Sequence, residues 1–180
     1  MRCSRVQYIT RTLAAACLVG LCGASIQAQD ADLSGRIFQF TSVLGRQSKA
    51  SQSQVLEAIQ GLVALDTPTT LGAHLLLDRS NVLFEPDPAI REQAVIAAAK
   101  CFDKRDLQNR MIALRVVRIA SPASEPVPAV RSSALRSLAC FRSVEAASRI
   151  IDSTSEVNEP DASVRSVARE LLAKGLPSAN

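Results

Sequence analysis

The sequence predicts an all-α chain built as a stack of helix pairs, an α-solenoid. A ten-residue frame occurs three times, at Glu85 to Ala94, Glu125 to Ala134 and Glu159 to Ala168. Each copy reads Glu-Pro, two residues, a small residue, Ile or Val, Arg, two residues, Ala. Arg91, Arg131 and Arg165 are 40 (91 to 131) and 34 (131 to 165) residues apart. Self-similarity at that period marks a repeat array. Apolar residues after each frame recur at helical spacing. No alternating stretch is long enough to compete as a strand.

The elements follow in order. Residues 1–28 read as a secretory signal peptide. Arg2, Arg5 and Arg11 form a positive start, Leu13 to Leu21 is a short apolar run, and Ile26-Gln27-Ala28 ends in a small residue. The apolar run is shorter than the roughly 20 residues of a spanning helix. An uncleaved anchor and a lipidated cysteine are the alternatives. Residues 29–50 are a lead-in, with Leu33, Ile37, Phe40 and Leu44 at helical spacing. Residues 51–80 form a degenerate first repeat without the Arg frame. It has one helix over about 53–65, a stop at Asp66-Thr67-Pro68, and a second helix capped by Thr69 or Thr70.

Residues 81–176 carry the clear repeats. Asp87 is an N-cap and Pro88 suits the first turn. Ile90, Ala94, Ala97, Ala98 and Cys101 make one apolar face. A second helix over about 107–120 is apolar nearly all round, which predicts burial on several sides. The next unit places Val130, Ala134, Leu138 and Phe141 inward, breaks near Arg142-Ser143, and resumes over Val144 to Ile151. The last unit has Val164, Val167, Ala168, Leu171 and Leu172, then Gly175 and Pro177 as stop signals. No second helix follows in this half-repeat, so part of its apolar face is expected to lie open. Residues 177–180 are a tail.

The frame of Asp, two or three residues, Val-Arg, two residues, Ala, followed by a second helix, resembles the HEAT repeat. The bacterial HEAT-like type of phycobilisome-lyase relatives is the nearest in pattern. The resemblance covers residues 85–175 well and 50–80 weakly. It implies a short right-handed α-solenoid of stacked helix pairs. It also implies a hydrogen-bonded ladder between repeats through Asp87, Asp161, Arg91, Arg131 and Arg165. The middle copy has Val127 where the pattern expects Asp, so its rung must use Glu125, another acceptor, or none.

Charge excludes one class of function. Three of the 21 basic residues and none of the 17 acidic ones lie in residues 1–28, which leaves 18 against 17. The remainder has no Trp or Tyr to stack on bases. Nucleic-acid binding is therefore not expected. The same residues carry no catalytic set. The one histidine, His74, sits beside Leu75 and Leu76 and reads as a core-edge residue. No metal site, cofactor loop or nucleophile motif occurs.

Three features remain as candidate surfaces. Lys104, Gln108, Arg115 and Arg118 fall on one arc of the 107–120 helix, with Met111 among them, and suit an acidic partner or simply a solvated edge. Glu85, Glu125 and Glu159 repeat in register and line one loop edge, either as a partner surface or as local helix-start residues. Cys101 and Cys140 are the two cysteines outside residues 1–28, and a disulfide or two buried thiols are both open.

The expected function is an exported, periplasmic or secreted, protein-binding module or scaffold without catalysis. It would have no cofactor and no stable membrane insertion after cleavage. Its partner would be another protein, with self-association through the C-terminal half-repeat as a further route. A lyase-like enzyme or accessory subunit, by family analogy, and a structural piece of a cell-envelope assembly are the alternatives. N-terminal sequencing of exported protein should begin near Gln29; a start at Met1 would contradict the signal assignment.

Overall fold

Eight α-helices and one 3-10 turn make up the regular structure among the described residues, and no strand occurs there. The computed structural model describes residues 32–45, 48–103 and 105–176, and only the backbone of Gln108. Residues 1–28, which the sequence predicts to be a signal peptide, the start of the lead-in, Lys104 and the tail 177–180 lie outside the described residues. The chain divides into two units, residues 1–38 and 39–180. Described residues 32–38 of the first unit are helical.

The helices are α1 (32–44), α2 (Gln52–Ala64), α3 (Thr70–Arg79), α4 (Pro88–Cys101), α5 (Arg110–Ile119), α6 (Pro128–Leu138), α7 (Val144–Asp152) and α8 (Ala162–Lys174). In the second unit α2, α4, α6 and α8 pack in that order as one layer. Each intervening helix lies on the first helix of the following pair: α3 on α4, α5 on α6, α7 on α8. The result is the all-α, solenoid-like stack that the sequence predicts.

Local chemistry sets the borders. Ser51 and Gln54 form a reciprocal capping box that starts α2. Val55, Ala58, Ile59 and Leu62 then form its buried stripe. Gly61 lets the Phe40 ring rest on α2, because a Cβ there would collide with that ring. Asp66 takes a positive φ of 47° after α2, a conformation that Asp tolerates better than most residues. Thr69 precedes α3 but makes no side-chain cap; its backbone N–H instead donates to the Cys101 carbonyl at 2.9 Å. Asp87, Asn109, Ser143 and Asp161 cap α4, α5, α7 and α8 through their side chains. Gly175, at φ 84°, ends α8.

The expectation for α5 needs correction. Its buried face is limited to Ile112, Ala113, Val116 and Ile119, while Met111 is 68% exposed. The helix buried nearly all round is α6, where every residue from Val130 to Leu135, and Ser137 and Leu138, is buried. It lies between α4 and α8 in its layer and is covered by α5 and α7. Small side chains make that possible. Ser137 donates to the Val95 carbonyl of α4 at 3.2 Å, and Ser133 donates to Glu92 at 2.9 Å. These bonds satisfy hydroxyls that burial would otherwise penalise.

The apolar face of α8 is also less open than the sequence implies. Val164, Val167 and Ala168 are buried in the main core, and Leu171 and Leu172 are half-buried against it. The exposed positions of α8 are Ala162, Ser163, Ser166, Arg169, Glu170, Ala173 and Lys174. Glu170 pairs with Lys174 at 2.6 Å. Where Val95 and Leu135 are buried four residues after their frame arginines, α8 carries the exposed Arg169.

The Asp161 cap has a pH consequence. The Ser163 hydroxyl, then the Val164 N–H, hold its carboxyl below the ordinary value of 3.8. A depressed carboxyl stabilises the fold above its unfolded value, and the contribution is lost as the pH falls through the folded one. Urea melts from about pH 6 down to about pH 2 should therefore show a shallower acid loss for Asp161→Asn than for the parent chain.

Candidate functional site

The repeated frame builds one interaction three times. Directly after each turn that closes a second helix comes Glu-Pro, and the next first helix starts three residues beyond the Glu. The arginine six residues after that Glu turns back beneath it. Arg131 Nη1 donates to the carbonyls of Glu125 and Pro126, both at 2.9 Å. Its Nε and Nη2 donate to the two carboxylate oxygens of Glu159 at 3.0 and 2.7 Å. Arg91 repeats this geometry. Nη1 holds the Glu85 and Pro86 carbonyls at 3.0 and 2.9 Å, and Nε and Nη2 hold Glu125 at 2.8 and 2.9 Å.

Each Glu also secures its own turn. Glu85, Glu125 and Glu159 each accept the backbone N–H two residues on, at 3.1, 2.9 and 3.1 Å. The ladder is thus arginine to the glutamate of the next repeat, and the expected pairing with Asp87 and Asp161 is corrected. Those aspartates are N-caps, bonded to Ala89 and to Ser163 and Val164. The middle copy keeps its rung despite Val127; what α6 lacks is the side-chain N-cap that α4 and α8 have.

The proposed partner edge of glutamates falls for the same reason. Glu85, Glu125 and Glu159 are 5%, 1% and 0% exposed. A carboxylate buried to that degree is kept for its arginine, because an unpaired buried charge carries a desolvation penalty of several kcal/mol.

Two arginines outside the frame extend the network. Arg79 Nε and Nη2 donate to the Leu44 and Gly45 carbonyls, both at 3.0 Å, and Nη1 reaches Glu85 at 3.4 Å. It serves Glu85 in place of the missing frame arginine of the degenerate repeat. The signal was present in the sequence: a third in-register Glu with no frame arginine before it. Arg149 Nε and Nη2 hold the Ala120 carbonyl at 3.1 and 2.6 Å. Burial lowers its pKa, against the pull of nearby Glu159.

At the other end Arg165 keeps half of the pattern. Nη1 donates to the Glu159 and Pro160 carbonyls at 2.9 and 2.7 Å. Among the described residues no carboxylate meets its Nε and Nη2 edge.

The main cleft, about 510 Å³, lies between the turn before Glu85 and helix α5. Val82, Leu83, Phe84, Ile119, Arg115 and Arg118 line it. Leu83 is 74% exposed, Phe84 40% and Val82 37%. The Asn81 side chain braces this turn by accepting the Leu83 N–H at 2.9 Å. The basic stripe resolves into unlike members. Lys104 is outside the described residues, and of Gln108 only the backbone is described. Arg115 is committed to Asp78 at 2.7 Å and to Nδ1 of His74 at 2.7 Å. Arg118 is exposed and has no bonded partner among the described residues. His74 packs edge-on against Phe102, with centroids 5.7 Å apart, and Phe102 packs in turn on Phe141.

Cys101 and Cys140 are free thiols in the structure, the first buried and the second exposed. Burial pushes the Cys101 thiol up, outweighing the opposite effects of the Thr69 hydroxyl and Lys100. No group of three metal-ligating side chains occurs among the described residues. No described helix is long and apolar enough to cross a membrane.

This ladder and cleft define the chain as an all-α, repeat-like helical protein. Comparison with protein-family models, curated proteins and solved structures gives no match.

Removing one partner of a buried ion pair costs about 3–5 kcal/mol. Arg91→Ala and Arg131→Ala should each lose that much in urea or thermal melts. Arg165→Ala should lose about 1 kcal/mol, since only its carbonyl bonds go. Arg136→Ala, on the exposed side of α6, should stay within about 0.5 kcal/mol. Equal losses at Arg131 and Arg136 would remove the ladder argument.

Proposed function

We propose that this chain is an exported, non-catalytic protein-binding module of HEAT-like repeats. It holds a peptide segment of a partner in the cleft between the first Glu-Pro turn and α5. The observation that carries this reading is the chemistry of the cleft wall. An exposed apolar turn, Val82-Leu83-Phe84, shares the cleft wall with Arg118, which has no bonded partner among the described residues. The two acidic residues of the wall, Asp78 and Glu125, are already engaged by Arg115 and Arg91. The cleft therefore complements a segment with an apolar anchor and an acidic neighbour.

The buried ladder supports the reading from beneath. It fixes the turns from inside, so their tips can carry apolar residues without being needed for the core. His74 is occupied by Arg115 and Phe102, which favours binding over catalysis. Export rests on the charge, apolar run and small-residue site of residues 1–28.

Photo-crosslinking in cells tests the proposal. A crosslinking residue at Leu83 should give a discrete protein adduct, and the same residue at Arg136 should not. Arg118→Glu in the Leu83 variant should cut the adduct yield several-fold, because charge reversal at a rim changes association most. Equal adducts from both positions, or no effect of Arg118→Glu, would reject the cleft as the binding site.

A further inference from the structure

We propose that Arg165 is a preformed receptor for an acidic side chain of a different polypeptide. The argument is independent of the cleft and rests on a comparison within the molecule. Arg91, Arg131 and Arg165 occupy the same frame position and hold the same two carbonyls through Nη1. At Arg91 and Arg131 the Nε and Nη2 edge grips a glutamate carboxylate with both of its oxygens. At Arg165 that edge is oriented by the same two anchors and meets no carboxylate among the described residues. A planar fork already fixed in direction loses little freedom when a carboxylate arrives.

The surroundings select the guest. Arg169 lies one turn further along α8, exposed, with only a 3.3 Å bond to the Thr154 carbonyl. Two cations on one side favour an anionic group. Ser166, Glu170 and Ala173 are exposed beside them. A further stacked helix would have to bury the charge of Arg169, which stands where Val95 and Leu135 are buried in the preceding repeats. The guest is therefore an acidic turn, not another repeat. A second copy of this chain cannot offer a ladder glutamate, because Glu85, Glu125 and Glu159 are all buried and bonded.

The test follows the side-chain Nε–H resonance of Arg165 in the ¹⁵N-labelled full chain, assigned by its loss in Arg165→Lys. The probe is an acetylated, amidated peptide of residues 121–130, which contains the Glu125 turn and no arginine. It should shift the Arg165 signal to saturation. The same peptide with Glu125→Gln should bind about tenfold more weakly or worse, since a charge-assisted bidentate pair becomes a neutral contact. The Arg118 and Arg136 signals should stay in place. The peptide comparison leaves the protein unaltered, so it holds even if Arg165→Lys disturbs α8. Absence of a shift, equal binding of the two peptides, or an equal shift at Arg118 overturns the proposal. An Arg165-dependent dimer in sedimentation without peptide also overturns it, by making the guest a second copy.

Discussion

A guanidinium buried with a carboxylate governs this fold. Taking both charges out of water is unfavourable by several kcal/mol for each, and their attraction recovers it only when geometry is good and every remaining donor is satisfied. At Arg91 and Arg131 the geometry is good and four of the five guanidinium N–H groups are bonded. Each fork spans two acceptors on the next repeat and two on its own. The pair adds little to net stability compared with an apolar substitute. Its effect is on register. A helix pair displaced along its neighbour would strand a buried charge, so one stacking arrangement is far better than the rest.

The turns depend on that condition. A Glu-Pro segment exposes backbone carbonyls at the end of one helix pair and backbone N–H groups at the start of the next. The arginine takes the carbonyls, and the carboxylate takes an N–H two residues on. With its polar groups met internally, the turn is held without help from residues at its tip. Leu83 and Val157, each two residues before a ladder glutamate, are 74% and 92% exposed. Side chains at those tips can vary while the frame beneath stays fixed.

Much of this was legible in the sequence. Helix starts, the three frame arginines and the core positions Val130, Ala134, Leu138 and Phe141 lie where periodicity placed them. The glutamates were misread because Glu-Pro has a sufficient local explanation at a helix start, and surface acids are the rule. Val127 breaks the aspartate row, whereas the glutamate row has no gap. The α5 helix misled for another reason. Met111, Leu114 and Val117 are apolar but exposed or half-buried, so counting apolar residues overstated its burial. The small residues of α6 concealed the reverse case: Ser132, Ser133 and Ser137 read as polar and are all buried.

The two complete rungs span different lengths of chain. Arg91 and Glu125 are 34 residues apart, Arg131 and Glu159 only 28. The same fork closes in both. The difference is absorbed on the opposite side of the stack, where α4 has 14 residues against 11 for α6, and the connector 102–109 is longer than 139–143. Spacing in space is thus set by side-chain chemistry and is uncoupled from spacing along the chain. The connector margin is the side of the molecule where insertions and deletions can accumulate without shifting a single repeat against its neighbour.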